Sequence, residues 1–301
     1  MGLLPMDLDI LPPSDDRVFK VLLTSSDAKP VLMDLISALI KRPVTEVTVR
    51  NNELPADDTD KKAERLDVNC RIDDGEQVDM EMQASTFEEQ PGGAHRNLKE
   101  KSIYYLCDLH SSQPSKGIPY DELVRTYHVT FCSYTVFPKR KEYMNSFSLR
   151  HDEDNELLSD AIGVIYVELS KLNEILKKPL NEMTELEKWS VFLEYADKPS
   201  QRERVNKIIE SKEALQMAGD LLMNISQDEN ERAKYFSRKK WQTDMDSNIA
   251  TAEKRGRNAG RADGELVKAL AIARNMIEDK ETVDKIMRYT GLSRAEVENL
   301  R

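Results

Sequence analysis

The feature that most constrains the fold is a pair of short alternating segments, residues 65–72 and 77–83, separated by Asp73-Asp74-Gly75. Alternation with a period of two is typical of a β-strand with one apolar and one polar face. A three-residue connection that ends in glycine suits a hairpin, because the last loop position has a left-handed backbone that glycine adopts easily. The sequence therefore predicts an antiparallel hairpin over residues 65–83.

The length of the loop also predicts the register of this hairpin. If Ile72 pairs with Glu76, then Asp67 lies directly opposite Glu81. One face is then entirely polar (Arg65, Asp67, Asn69, Asp79, Glu81 and Gln83) and the other entirely apolar (Leu66, Val68, Cys70, Ile72, Val78, Met80 and Met82). A slip by one residue would destroy this separation, so the pattern supports the register.

Opposed carboxylates on adjacent strands, here Asp67 and Glu81, can share one hard cation. Cross-strand Cβ atoms lie about 4.5–5.5 Å apart, and like charges at that spacing destabilise a hairpin unless a cation separates them. Mg²⁺ prefers oxygen ligands and retains several waters. The pattern alone favours a solvated polar face with its charges pointing apart, and it leaves the metal site open.

Periodicity along the rest of the chain predicts helices at both ends and strands in the middle. Helices are predicted over residues 18–23, 30–40, 94–112 and 181–223, and strands over 44–50, 123–137, 145–151 and 161–169. Residues 231–275 predict a long helix interrupted by Gly256, Gly260 and Gly264, followed by a short helical pair. This order predicts an α/β or α+β fold.

The net charge of −11 argues against a general nucleic-acid binder, but the charge is unevenly distributed. Residues 91–150 carry 9 basic and 5 acidic side chains, and residues 231–262 carry 9 and 4, whereas residues 1–90 carry 10 and 20. The basic segments could contact phosphates while the acidic N-terminal part holds a cation. Composition alone favours ordinary charge fluctuation.

The chain has no apolar run of membrane-spanning length and no secretion signal at its N-terminus. Its three cysteines, Cys70, Cys107 and Cys132, form no CxxC pair, and each has apolar residues within two positions on both sides. We therefore expect buried, reduced thiols in a soluble cytoplasmic protein without a membrane partner.

Residues 65–83 resemble the nuclease core of the PD-(D/E)XK nuclease family transposases, the recombination-promoting nucleases. That family has an aspartate in one strand, a short glycine-containing turn and a following strand that ends in Glu-x-Gln, here Asp67, Gly75 and Glu81-Met82-Gln83. Further segments match in the same order: Asp16-Arg17-Val18-Phe19-Lys20, Tyr104-Tyr105, Gly117-Ile118-Pro119-Tyr120, Val167-Glu168-Leu169-Ser170-Lys171 and Leu186-Glu187-Lys188-Trp189. The resemblance covers about residues 10–225.

The resemblance implies a restriction-endonuclease-like α/β core, a mixed sheet flanked by helices, in residues 1–230, with a helical tail in residues 231–301. It implies a DNA endonuclease in which Asp67 and Glu81 bind Mg²⁺ or Mn²⁺ and Gln83 takes the position of the superfamily's usual lysine. Glutamine cannot act as a base at neutral pH. It would orient the water that the metal activates.

Asp16, Lys20 and Tyr104 are auxiliary candidates under the same resemblance. Asp16 could add an outer carboxylate, and Lys20, one helical turn later, could contact phosphate. An aspartate in a first helical turn with a lysine at i+4 is an equally good interpretation. Tyr104 and Tyr105 point in different directions, so one of them is expected in the core and the other could bond a phosphate or a carboxylate.

The tail carries a partial apolar stripe, mostly in the second half of residues 231–275, which should pack on something. Self-association of two chains is slightly favoured, and docking on the acidic helices of residues 181–223 is the alternative. Arg255, Arg257 and Arg261 are candidates for DNA contact. Residues 283–300 resemble a helix-turn-helix, but the second helix mixes arginine with glutamate, so packing or oligomerisation suits it at least as well.

The alternative to a nuclease is a catalytically weak or inactive DNA-binding or assembly protein on the same fold. The two differ in the surroundings of Asp67, Glu81 and Gln83. A catalytic protein needs all three exposed in a cleft beside basic residues. The biological setting, whether recombination, mobile elements or phage defence, is left open by the sequence.

Overall fold

The structure is a computed structural model that describes residues 3–50, 68–73, 75–84, 94–113 and 119–300. It contains a mixed six-stranded sheet flanked by helices and a helical C-terminal region, so the predicted α/β fold is confirmed. Asp67 and the Gly117 end of one family segment lie outside the described residues.

Two strand pairs of this sheet are parallel and the others are antiparallel. The strands are β1 (Val47–Val49), β2 (Val68–Ile72), β3 (Glu76–Gln83), β4 (Thr126–Cys132), β5 (Met144–Arg150) and β6 (Leu157–Glu168), in the order β1-β2-β3-β4-β6-β5. Strand β4 runs parallel to β3 on one side and to β6 on the other. The carboxyl ends of these three strands therefore meet at the same end of the sheet.

Helices precede the sheet, cover it and follow it. They are α1 (Asp16–Thr24), α2 (Lys29–Ile40), α3 (Ala94–Ser111), α4 (Glu185–Tyr195), α5 (Arg202–Glu210), α6 (Glu213–Gln227), α7 (Glu229–Glu278), α8 (Val283–Thr290) and α9 (Arg294–Glu298). Helices α1, α2 and α4–α6 contribute apolar side chains to one large core with the apolar face of the sheet. Helix α3 lies on the opposite face, where Leu98 and Leu106 pack with Cys132 and Tyr166.

The predicted hairpin register is confirmed where the structure describes it. Ile72 pairs with Glu76 and Asn69 with Asp79, and Gly75 has a φ of +97°. The apolar face, including Val68 and Met80, lies in the large core. The predicted opposition of Asp67 and Glu81 falls one position beyond the described pairs.

The polar face of the hairpin is covered rather than solvated. Of its described members, Asn69, Asp79 and Glu81 are buried and Gln83 is half-buried. Thr126, His128 and Thr130 on the adjacent strand β4 are buried as well. Strand β3 lies in the interior of a sheet with helices on both faces, which is where both faces of a strand are removed from water. The chemistry of this layer is therefore that of a low-dielectric interior.

Helix α7 is one continuous helix of 50 residues, so the predicted interruption at Gly256, Gly260 and Gly264 is wrong. A glycine costs about 1 kcal/mol relative to alanine within a helix but keeps its backbone donor and acceptor. The intervening residues are mostly good helix formers. Apart from the adjoining turns of the helix itself, no atom of the described residues lies within 4 Å of where a Cβ at these glycines would stand. The three glycines therefore weaken the helix without ending it.

A short turn joins the terminal helices α8 and α9. Gly291 ends α8 with a φ of +73°, and Ser293 caps α9 through a reciprocal bond with Glu296. Ile286, Leu292 and Val297 of this pair bury Ala273 of α7. Part of the apolar stripe in the second half of the tail is therefore buried within the tail itself.

The chain divides into two compact units, Met1–Arg238 and Lys239–Arg301. Over the described ranges, no helix has the length and apolarity needed to cross a membrane. Cys70 and Cys132 are buried, as predicted, but Cys107 is exposed. The prediction for Cys107 is wrong because the apolar residues beside it in sequence lie on other faces of helix α3.

Candidate active site

Glu81 is the best-defined acidic residue of the candidate site. Its side chain lies near the carboxyl end of β3 and is only 2% exposed. Its Oε2 accepts hydrogen bonds from Lys101 Nζ at 2.9 Å and from Gln83 Nε2 at 3.0 Å. The exposure required of a catalytic Glu81 is thus not met, since a lysine and an amide enclose this carboxylate, while Gln83 itself is half-buried.

Lys101 is a site residue that the sequence reasoning missed. It projects from α3, keeps 37% of its side chain exposed and lies 5.0 Å from the centre of the Tyr105 ring. Lys101 and Tyr105 are four residues apart in α3, so both side chains lie on the helix face that covers the hairpin. The spacing was available in the sequence, but the docking of α3 onto this face was not.

A second polar chain lies behind Glu81 on strands β3 and β4. His128 Nδ1 is 2.8 Å from Asp79 Oδ2, and His128 Nε2 is 3.1 Å from Thr130 Oγ1. Burial raises the pKa of the Asp79 carboxyl above its usual value, and the hydrogen bond with His128 opposes this shift. This series of hydrogen bonds orders the interior next to Glu81, because buried polar groups that are paired have few alternative arrangements.

Acceptor oxygens of the type that a hard cation binds lie on the same face of the hairpin as Glu81. Two buried oxygens on the same face, Asn69 Oδ1 and Asp79 Oδ1, have no hydrogen-bond partner among the described residues. Oxygen atoms of carboxylates and amides are the ligands that Mg²⁺ prefers. No cluster of three acidic, histidine or cysteine ligands occurs within the described ranges, and these do not include Asp67.

The auxiliary candidates are placed differently from one another. Asp16 forms an ion pair with Arg238 of α7, and its helix packs on the apolar side of the sheet. Lys20, on the same helix, is half-buried, and in the described part of the chain its side chain forms no ion pair. Neither residue shares a described side-chain partner with Glu81.

The two tyrosines of α3 differ in exposure, and the half-buried Tyr105 lies beside the candidate site. Tyr104 is 52% exposed. The Tyr105 ring lies 6.2 Å from that of His128 and beneath Lys101. The sequence could not choose between them, because the choice depends on which face of α3 meets the sheet.

The three tail arginines lie on the exposed surface of α7 in the second unit. Arg255, Arg257 and Arg261 are all exposed, and Arg261 pairs with Glu265 at 3.2 Å. An exposed pair of this kind contributes little to stability. These guanidinium groups are therefore accessible for contact with an anion.

Comparison with known proteins identifies the family but supplies no close relative. No curated protein and no solved structure matches the chain significantly. The family model described as "PD-(D/E)XK nuclease family transposase" matches residues 13–252, a span that includes the hairpin, α3 and the carboxyl ends of β3, β4 and β6. The chain therefore belongs to the PD-(D/E)XK nuclease family transposases.

Proposed function

We propose that this chain is a cytoplasmic DNA endonuclease that depends on Mg²⁺ or Mn²⁺ and acts in recombination, mobile-element or phage-defence processes. Asp67 and Glu81 are its metal ligands, and Gln83 is its third catalytic residue. The observation that carries the proposal is the grouping of three polar side chains at the carboxyl end of β3, where the Glu81 carboxylate accepts hydrogen bonds from Gln83 and from the partly exposed Lys101. Membership of a nuclease family supports the same assignment.

Each residue has a distinct role in phosphodiester hydrolysis. A bound divalent cation would lower the pKa of a water and stabilise charge on the phosphate. Gln83 donates its Nε2 to Glu81, which leaves its Oε1 to accept a hydrogen bond from the attacking water. Lys101 supplies the positive charge that glutamine lacks, and its partial exposure lets the ammonium turn from Glu81 to a phosphate oxygen.

The same ion pair favours a second candidate function. Lys101 neutralises Glu81 at 2.9 Å, so the lysine could replace the cation altogether in a DNA-binding or assembly protein without cleavage. Metal binding distinguishes the two functions. A nuclease must exchange the lysine for a cation, whereas the inactive protein would keep the ion pair.

Lys101→Met is expected to slow cleavage without weakening metal binding. The variant removes the cation that competes for Glu81, so Mn²⁺ should bind at least as tightly as to the parent protein. Cleavage should slow by about tenfold or more, because a charge that stabilises the transition state is lost. Calorimetric titration with Mn²⁺ and a plasmid-nicking assay measure the two effects. If neither the parent nor Lys101→Met bound Mn²⁺, the inactive function would be favoured.

Substitutions of Gln83 test whether its amide orients water. Gln83→Lys should retain or raise the cleavage rate, because it restores the superfamily's usual residue. Gln83→Leu should lower the rate by about 10²-fold, since an apolar side chain of similar size cannot hold water. Nicking rates should be compared on samples with equal circular-dichroism spectra. Full activity of Gln83→Leu would remove Gln83 from the mechanism.

We further propose that the tail joins two copies of the chain, and that Arg255, Arg257 and Arg261 contact DNA. Three exposed apolar residues, Trp241, Met245 and Ile249, follow one another at intervals of four on helix α7. Residues at this spacing lie on one face of a helix and form a self-complementary surface in a symmetric dimer. Docking on the helices of residues 181–223 is the alternative.

Light scattering of the full chain and of a chain that ends after Arg238 tests this arrangement. The shorter chain keeps the ion pairs of Arg17 with Glu231 and of Asp16 with Arg238. We expect a dimer for the full chain and a monomer for the shorter one. The full-length double variant Met245→Glu, Ile249→Glu should also be monomeric. Two monomeric samples at micromolar concentration would rule out the tail as a dimerisation element.

A further inference from the structure

The loop that follows strand β4, residues 133–142, carries three consecutive exposed basic residues, Lys139, Arg140 and Lys141. Lys139 and Lys141 have neither a hydrogen bond nor an ion pair in the described part of the chain. Arg140 lies over the Phe147 ring, with its Cζ 5.8 Å from the ring centre. In a chain with a net charge of −11, three consecutive basic residues beside one exposed acidic residue, Glu142, are a local excess of positive charge.

The backbone of this loop is held by a buried ion pair. Glu168 Oε1 accepts hydrogen bonds from the backbone N–H of Val136 at 2.7 Å and of Phe137 at 3.0 Å. Lys171 Nζ lies 2.7 Å from Glu168 Oε2 and donates to the carbonyl oxygens of Phe137 and Arg140 at 2.9 and 2.8 Å. Glu168 is fully buried. The three basic side chains therefore project from a fixed backbone.

Two connections join the loop to the candidate active site. The backbone N–H of Ser133, its first residue, donates to the carbonyl oxygen of Gln83 at 3.1 Å. On helix α3, Lys99 Nζ lies 4.6 Å from the centre of the Phe137 ring, and Lys101, two residues later, pairs with Glu81. The loop thus begins beside Gln83, and its Phe137 contacts the helix that carries Lys101, at the carboxyl end of strands β3 and β4.

We propose that Lys99, Lys139, Arg140 and Lys141 form a binding surface for the phosphate backbone of duplex DNA beside the scissile phosphate. This inference rests on the proposed nuclease function and adds to it the surface that holds the substrate. Unpaired cations on a fixed backbone release counterions from DNA when they bind it, and they do so without sequence preference. The loop contributes affinity for DNA in addition to that of the tail arginines.

Binding of a short fluorescein-labelled DNA duplex, followed by anisotropy in EDTA, tests the surface without requiring cleavage. The full-length triple variant Lys139→Gln, Arg140→Gln, Lys141→Gln should raise Kd at least about tenfold and should reduce the slope of log K against log salt by about three. The variant Lys29→Gln, Lys177→Gln, Lys207→Gln removes the same net charge from exposed lysines elsewhere on the first unit. It should bind as the parent does.

Each possible result either supports or contradicts the proposed DNA-binding surface. The proposal is wrong if the loop variant binds like the parent, if both triple variants weaken binding equally, or if the parent does not bind duplex DNA. Weakening confined to Arg255→Gln, Arg257→Gln would assign DNA contact to the tail instead. Failure of the nuclease function gives a different result, namely loop-dependent binding of DNA without metal-dependent cleavage by the parent.

Discussion

Glu81→Ala is expected to abolish metal-dependent nicking of DNA, with a rate loss of about 10³-fold or more, because a metal ligand supplies several kcal/mol to the transition state. The substitution also removes the acceptor of Gln83 and the partner of Lys101. Lys101 is partly exposed, so its ammonium can turn to solvent and the fold should survive. Asp67→Ala should have the same effect on nicking.

Glu81→Gln sharpens this test, because it keeps the volume of the side chain and an acceptor for Lys101 while removing the negative charge. It should be as inactive as Glu81→Ala and more stable. Glu203→Gln, which removes an exposed charge from helix α5, serves as the control and should remain active. Circular-dichroism spectra should match across the set. Nicking at the parent rate by a folded Glu81 or Asp67 variant would make this metal-site assignment wrong.

Glu168→Ala is expected to lower the free energy of unfolding by about 3–5 kcal/mol, the usual cost of removing one partner of a buried ion pair. The change would leave Lys171 without its carboxylate and the backbone N–H groups of Val136 and Phe137 without an acceptor. Asn145 Nδ2, which donates to Glu168 Oε2 at 2.9 Å and to the Glu142 carbonyl oxygen at 3.3 Å, would lose the first of these acceptors. Urea unfolding measures the loss.

A matched control is available six residues away in the sequence. Glu174 pairs with Lys177 at 2.6 Å, but both side chains are more than two-thirds exposed. Glu174→Ala should therefore cost less than about 1 kcal/mol, as exposed pairs do. Equal losses for the two variants would mean that Glu168 does not anchor the loop, and the fixed backbone of the basic loop would lose its support.

The hairpin was predictable because its determinants are local. Alternation assigns each side chain to a face, and the loop that ends in Gly75 sets which residues pair, as Ile72 with Glu76 and Asn69 with Asp79 show. Gly291 and Ser293 act within one helical turn in the same way. Such signals need no knowledge of how distant elements pack.

The surroundings of Glu81 could not be predicted because they depend on tertiary packing. Helix α3 was expected, but its docking on the polar face decides that Lys101 meets Glu81 and that Tyr105 rather than Tyr104 faces His128. The parallel pairing of β3 with β4 likewise brings His128 beside Asp79, nearly fifty residues away. The family resemblance implied Asp67, Glu81 and Gln83 as catalytic residues, and the described structure adds the groups that surround Glu81.

The proposed metal-dependent nuclease activity is tested by incubating the purified full-length protein with supercoiled plasmid in Mg²⁺, Mn²⁺ or EDTA. The Glu81→Gln variant is prepared and assayed in parallel. We predict nicked or linear plasmid with either cation and intact plasmid with EDTA or with the variant. Intact plasmid under every condition would contradict the proposed nuclease. Equal cleavage by the parent and by Glu81→Gln would contradict the assignment of Glu81 to its active site.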